Sequence, residues 1–438
     1  MKVLKFGGTS VGSPERMKNL VQLINAPEPK IVVLSAMSGT TNNLVEISKA
    51  LYAQDHNKAK QLIEALEQKY QAVLPKLYAK AESCRKAEEL IRNHFDYLHA
   101  FCLDMFTSNE EKAILAQGEL LSTALVHYFL EEIGIPSVLL PALNFMRIDE
   151  NDEPDLGYIE NNIVKELNKH PKTDIYITQG YICRNAFGEI DNLKRGGSDY
   201  TATLIGAAIH AEEIQIWTDI DGMHNNDPRV VEKTHPVTEL SFDEAAELAY
   251  FGAKILHPTC VLPAQQRKIP VRLLNTMQPE ARGTLISGKT SGERYTAIAA
   301  KDEITAIKIK SGRMLLAYGF LRSVFEVFER YKTPIDMITT SEVAVSLTID
   351  TTKHLDPILK ELSAIATVEV DRDLSIICVV GSFSAENEGY VWKIFESLKN
   401  IPIRMISYGG SENNVSLLVK TVHKKETLVA LNNGLFKQ

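Results

Sequence analysis

An α/β fold is predicted, with an open sheet covered by helices on both faces and two small α+β units after it. Three observations predict it. Short Val- and Ile-rich runs alternate with helix-like segments over roughly the first two thirds of the chain, glycine- and hydroxyl-rich loops follow several of those runs, and the last third repeats itself.

The first strand is read at Val3–Phe6, directly before Lys5-Phe6-Gly7-Gly8-Thr9-Ser10. Further β-like runs are read at 31–34, 136–140, 174–178, 214–217 and 270–274, with helix-like segments at 198–210 and 241–251. Residues 51–114 break this rhythm: they are rich in Ala, Glu, Lys and Leu, have few breakers besides Pro75, and read as a long helical insertion flanking or covering the sheet. A polar linker is expected at 288–293. Beyond it, Gly319-Phe320-Leu321 resembles Gly389-Tyr390-Val391, Pro334-Ile335-Asp336-Met337-Ile338 resembles Pro402-Ile403-Arg404-Met405-Ile406, and Val345-Ser346-Leu347 matches Val415-Ser416-Leu417. With leading strands at 304–309 and 374–380 and second helices at 355–362 and 425–431, each copy reads as a βαββα unit, too small to pack well alone.

The 438 residues are enough for about three domains. Lys and Arg number 48 against 56 Asp and Glu, a formal charge of −8, which argues against nonspecific attraction to nucleic acid or an anionic membrane. The five cysteines are scattered and lack C-x-x-C spacing, so free thiols are expected rather than disulfides or a zinc site. No signal-like amino terminus and no unbroken 18-residue apolar run is read, and a cytoplasmic location is expected.

Two loops look phosphate-facing: Lys5-Phe6-Gly7-Gly8-Thr9-Ser10, and Arg195-Gly196-Gly197-Ser198-Asp199 far downstream. Glycines let backbone N–H groups approach phosphate oxygens, and lysine supplies a mobile positive charge. The first loop is not a Walker A motif, because its lysine precedes the glycines. Ser35-Ala36-Met37-Ser38-Gly39-Thr40-Thr41-Asn42 follows a strand, as a ligand loop does in an open α/β sheet. Gln117-Gly118-Glu119 is read near a helix start, where Glu119 could hold a substrate ammonium or simply complement the helix dipole. Trp217-Thr218-Asp219-Ile220-Asp221-Gly222 runs into Asn226-Asp227-Pro228-Arg229, and Phe251-Gly252-Ala253-Lys254-Ile255-Leu256-His257-Pro258 ends a helix.

Together, KFGGTS, RGGSDYTA, the WTDIDG to NDPR stretch and FGAKILHP, in this order, resemble the aspartate kinases of the amino-acid kinase family, most closely the lysine-sensitive monofunctional type. The resemblance implies an amino-acid-kinase-like catalytic domain over 1–290 and two ferredoxin-like ACT units, the first over 303–372 and the second over 296–302 plus 373–438. It implies ATP and Mg²⁺ as cofactors, L-aspartate as substrate, lysine as effector, and a homodimer through the ACT domains or a higher oligomer. By position, Lys5, Arg195 and Asp199 are implied to be catalytic. The implied ATP site comprises Lys5, Phe6, Gly7, Gly8, Thr218, Asp219, His224, Asp227, Arg229 and Lys254, with His224 standing where the family often has tyrosine. Thr41, Glu119, Arg195 and Ser198 are implied to hold aspartate. The implied lysine pocket comprises Met314, Ala317, Phe320, Leu321, Pro334, Ile335, Asp336, Thr340 and Ser341, with Asp336 the partner of the effector ammonium. No metal ligand is assigned.

Transfer of a phosphoryl group to a carboxylate needs no strong base, because the nucleophile is already ionised near neutral pH; the obstacle is repulsion between anions. Two other readings stay open at this stage: a kinase for glutamate or acetylglutamate, and an amino-acid sensor with a decayed kinase domain.

Overall fold

The computed structural model describes every residue except 104–105, 194–195, 253–256, 290–291, 312–317, 384–388 and 437–438. The chain forms two compact units, one from residues 1–223 and 256–289, the other from 224–255 and 290–438.

The first unit contains β1 (Lys2–Phe6), β2 (Lys30–Leu34), β3 (Val138–Leu140), β4 (Ile175–Gln179), a hairpin of β5 (Ile182–Arg184) and β6 (Ile190–Asn192), and β7 (Ile214–Thr218). A short β8 (Glu239–Ser241) belongs to the second unit, and β9 (Val271–Asn275) and β10 (Thr284–Ser287) return to the first. The first-unit order is β3-β4-β2-β1-β7-β9-β10, parallel except where β10 runs antiparallel to β9. All six strands expected in this region are present; the hairpin and β10 are additional. The central strands are apolar along their whole length because helices cover both faces: β2 and β4 are buried at every position.

The order places β2 on one side of β1 and β7 on the other. Phe6 stands opposite Leu34 and Trp217, so the loops after all three strands open at the same edge, a topological switch point.

The segment 51–114 consists of helices His56–Gln71, Leu74–Leu77 and Ala81–Ala100, with Pro75 tolerated in a first turn, and the start of helix Ser108–Glu132. Ala59, Ile63, Leu66, Tyr70, Ile91 and Phe95 share one apolar core with Phe6, Val32 and Leu34, so the insertion is built into the sheet's flank. Helix Ser108–Glu132 opens with a Thr107–Glu110 capping box. Its length and apolar composition would suit a membrane span, but most of it is buried within the fold, as befits a core helix.

The second unit carries an antiparallel sheet of β11 (Tyr295–Lys310), β12 (Ile338–Thr340), β13 (Ala344–Ile349), β14 (Thr367–Gly381), β15 (Met405–Tyr408) and β16 (Asn414–Lys420), ordered β12-β13-β11-β14-β16-β15. The sequence repeat is visible as two halves of this sheet. Residues 304–309, expected as a short leading strand, are the end of one long strand, β11. Its two ends serve different halves: Ala297–Lys301 pairs with 376–380, while 304–310 lies between β13 and the start of β14. The strands change partners at a register shift where Glu303 and Asp373 both adopt left-handed backbone, φ +62° and +57°. Each half packs its helices on its own core, one around Val324, Phe328 and Ile358, the other around Ile394, Leu428 and Leu431.

Residues 224–255 group with this unit for visible reasons. The Asn226 amide donates to the Leu428 carbonyl at 3.1 Å, the Asn432 amide donates to the Lys233 carbonyl at 3.1 Å, and Thr296 Oγ1 donates to Glu244 at 2.6 Å.

Candidate active site

Lys5 points its ammonium out of β1 towards the loop mouth. Its Nζ lies 2.6 Å from Asp199 Oδ1, both side chains being largely buried, at 11% and 17% exposure. Asp199 is in the first turn of helix Gly197–Ala208, whose N-cap, Gly196, is left-handed and accepts from the Asp199 N–H at 3.0 Å, so the positive end of the helix dipole faces the loop. A side chain on Gly196 has no room: its β-carbon would fall 1.9 Å from Cys260 Sγ.

The glycine pair after Lys5 is held by β7 and by the hydroxyl-rich loop. Gly7 N–H donates to the Trp217 carbonyl at 3.3 Å, and Ser38 N–H donates to the Gly8 carbonyl at 3.1 Å. A β-carbon on Gly8 would stand 2.9 Å from the Ala36 carbonyl oxygen, so close approach of two backbones explains the second glycine. Phe6 stacks on Trp217 at 5.7 Å and anchors the loop's base.

Glu119 corrects one expectation. It lies in the middle of helix Ser108–Glu132, not near its start, so it is no dipole-complementing terminal charge. The helix can approach the hydroxyl-rich loop because residue 118 is glycine: a β-carbon there would be 2.7 Å from Ala36 Cβ. The Ala36 N–H donates to Glu119 Oε1 at 3.1 Å, while Oε2 is buried without a partner among the described residues. Burial pushes the Glu119 carboxyl up to about 8, with the Ala36 bond opposing. A buried acid with one unsatisfied oxygen is a ready acceptor for a ligand ammonium.

Ser35 Oγ donates to Ser198 Oγ at 2.9 Å, joining the loop after β2 to the helix that carries Asp199. Gly180 leaves room for this bond, since its β-carbon would fall 2.3 Å from Ser198 Oγ. Thr41 stands half-buried in the first turn of helix Thr40–Tyr52, whose N-cap Gly39 is likewise left-handed and lacks a side-chain cap bond. Lys5, Gly7, Gly8, Ser198, Asp199 and Glu119 are thus tied into one network through loop 35–38. Sequence reasoning overlooked Ser122, whose hydroxyl donates to the Ser35 carbonyl at 2.8 Å, and Gly180; neither sits in a recognisable motif.

Of the remaining nucleotide candidates, Thr218 ends β7, where its Oγ1 accepts from Ile220 N–H at 3.0 Å, and Asp219 is exposed beside it. In the second unit, His224 Nδ1 lies 2.9 Å from Thr234 Oγ1. Asp227 takes three bonds from Arg229: backbone N–H and Nε at 2.9 Å on Oδ1, and a terminal guanidinium nitrogen at 2.8 Å on Oδ2. That grip holds its carboxyl below the usual range. Arg195 and Lys254 lie outside the described residues. Among the described residues no group of three or more His, Cys, Asp or Glu side chains forms a metal-sized cluster.

In the expected effector segment, Phe320 and Leu321 open helix Phe320–Arg330, Pro334 and Ile335 lead into Asp336, Thr340 ends β12, and Ser341 follows it, its N–H donating to the Ala344 carbonyl at 2.8 Å. Met314 and Ala317 lie outside the described residues. The Asp336 carboxylate, only 1% exposed, already holds an ammonium: Lys301 Nζ lies 2.7 Å from its Oδ1 and 2.9 Å from Asp350, and Tyr250 OH donates to the same Oδ1 at 3.0 Å. Burial opposes the Lys301 charge, but its bonds to the two aspartates outweigh it and keep the ammonium's pKa above its ordinary value.

A profile of the amino acid kinase family matches residues 1–275, and an ACT domain profile matches 377–435. Lysine-sensitive aspartokinase 3 of Escherichia coli is 34% identical over 448 residues, covering 99% of both chains; aspartokinase 3, chloroplastic, of Arabidopsis thaliana is 35% identical over 472 residues, 99% of this chain and 81% of the plant protein. Among solved structures, E. coli aspartokinase III in complex with aspartate and ADP aligns over all of both chains with TM-score 0.87, and the same enzyme in complex with lysine and aspartate with TM-score 0.82, each at 34% identity.

Proposed function

Because this chain belongs to the aspartokinase family and phosphorylates the side-chain carboxylate of aspartate at the expense of ATP, we propose that the loops around Lys5, Glu119 and Asp199 carry out that transfer. The observation that supports this most is Glu119: a buried carboxyl with an unpaired oxygen, in the same loop network as the Lys5–Asp199 pair.

Lys5 and the backbone around Gly7 and Gly8 would contact the phosphates of ATP, the tight packing of Gly8 on Ala36 fixing that loop. Thr218, Asp219, His224, Asp227, Arg229 and Lys254 would complete the nucleotide site. Mg²⁺, held mainly by phosphate oxygens and water, would supply further charge neutralisation. Glu119 would take the α-ammonium of aspartate, Arg195 its α-carboxylate in a two-bond grip, and Thr41 and Ser198 would orient the remainder. Asp199 would hold Lys5 in place until the phosphates take over its ammonium. We also propose the boundaries 1–290, 303–372 and 296–302 plus 373–438 for the catalytic and two ACT domains, a homodimer, and a cytoplasmic location.

Lysine is the proposed effector, with Asp336 receiving an ammonium that must first displace Lys301. Support for an effector comes from the E. coli aspartokinase III crystallised with lysine. The test is ATP-dependent acyl phosphate formation with aspartate, with and without lysine; absence of turnover with aspartate would sink the reading.

A further inference from the structure

The helical insertion ends its helix His56–Gln71 on two polar side chains that reach the hydroxyl-rich loop. Lys69 Nζ donates to the Ser38 carbonyl at 2.7 Å. Tyr70, fully buried and packed near Phe95 with ring centroids 5.9 Å apart, places its hydroxyl 3.1 Å from Thr40 Oγ1. The two contacts bracket Gly39, whose left-handed backbone, φ +79°, opens helix Thr40–Tyr52. The Lys69 ammonium also lies 3.5 Å from the position a Gly39 β-carbon would take.

Ser38 and Gly39 are exposed, so the core does not fix them. The Ser38 backbone has two partners instead, one main-chain and one side-chain. Its N–H donates to the Gly8 carbonyl, and its carbonyl accepts from Lys69. The residue therefore links the insertion to the phosphate loop on one side and to the helix start bearing Thr41 on the other. A charge-assisted bond to a carbonyl is stronger than a neutral one and fixes its orientation.

We propose that Lys69 is a positioning residue for the phosphoryl transfer: through Ser38 it holds the substrate side of the loop, with Thr41, in register with Gly8. This gives the insertion a part in substrate binding that its amphipathic pattern does not reveal. The proposal rests on the reading of Thr41 as an aspartate contact.

The test compares steady-state kinetics and thermal unfolding of Lys69→Met, Lys69→Arg and Thr41→Val. Lys69→Met is expected to raise the aspartate KM roughly five- to tenfold, the scale of one net hydrogen bond at an exposed loop, with the ATP KM and the unfolding midpoint unchanged. Lys69→Arg, which can still donate to the carbonyl, should return the KM to within about twofold of the parent. An unchanged aspartate KM in Lys69→Met, or a loss of kcat that tracks a lowered midpoint and is not rescued by arginine, overturns the proposal. If Thr41→Val raises KM while Lys69→Met does not, the site reading stands and the Lys69 role fails. If neither raises it, both fail.

Discussion

Replacing Lys5 by Met separates catalysis from stability in a way the geometry allows to be worked through. The ammonium lies 2.6 Å from Asp199, with 11% and 17% of the two side chains exposed, so the substitution leaves a mostly buried carboxylate without its partner. Breaking a buried pair from one side costs about 3–5 kcal/mol, and the residual hydration here favours the lower end. Loss of a preorganised charge at a transferring phosphoryl group costs about 10²–10³ in rate. Lys5→Met should therefore lower the unfolding midpoint and reduce kcat/KM for aspartate by about 10²–10³. The double variant Lys5→Met/Asp199→Asn removes the orphaned charge and should recover most of the midpoint while the rate stays low. Coupled ADP-release kinetics and calorimetry on the three proteins provide the comparison. The reasoning is refuted if Lys5→Met retains a rate within about tenfold of the parent, or if the double variant recovers activity along with stability.

Three further outcomes are expected. With its pKa raised to about 8, Glu119 is protonated in the free protein at neutral pH, so its burial destabilises progressively as pH rises from the unfolded value towards 8, and aspartate binding must expel the proton. The aspartate KM should accordingly fall as pH rises from about 6 to about 8, by at most about tenfold per unit, and Glu119→Gln should abolish that dependence while raising KM; a flat profile in the parent contradicts the role. Gly180→Ala places a β-carbon 2.3 Å from Ser198 Oγ and should raise the aspartate KM by pushing Ser198 off Ser35, with circular dichroism unchanged; parental KM would exclude that packing. Lys301→Met vacates the ammonium position on Asp336 and should lower the lysine concentration for half-inhibition roughly tenfold, about 1.4 kcal/mol of competition removed, whereas Asp336→Ala should abolish inhibition and keep turnover; inhibition unaffected by either change rules out Asp336 as the effector's partner.

Strand periodicity and the loops that follow strands were legible in the sequence, because a sheet covered on both faces needs continuous apolar runs and glycine where backbones meet. Lys5, Gly8 and Ser198 came from that local signal, and the structure ties them together. Glu119 was recognised but misplaced: helix Ser108–Glu132 is buried almost all round, so it lacks the one-sided pattern that marks a helix's extent. Lys69 was illegible, since a lysine next to a buried tyrosine in an amphipathic helix looks like any solvated face; its role depends on a contact 31 residues away. Likewise nothing local to Asp336 indicates Lys301, brought to it only by the pairing of β11 with its neighbours. The long strands β11 and β14 were legible only in part, at 304–309 and 374–380, because the charged runs Lys301-Asp302-Glu303 and Asp371-Arg372-Asp373 interrupt the apolar pattern where Glu303 and Asp373 take up left-handed backbone.

The central claim, that the first unit transfers a phosphoryl group to the side chain of aspartate through recognition of its ammonium, is tested most directly by trapping acyl phosphate with hydroxylamine in parallel reactions containing ATP and aspartate, N-acetylaspartate, glutamate or N-acetylglutamate. Hydroxamate should form with aspartate, be almost absent with N-acetylaspartate because Glu119 is offered no ammonium, and be far lower with both glutamate compounds. Turnover of N-acetylaspartate comparable to that of aspartate, or a preference for either glutamate compound, contradicts it.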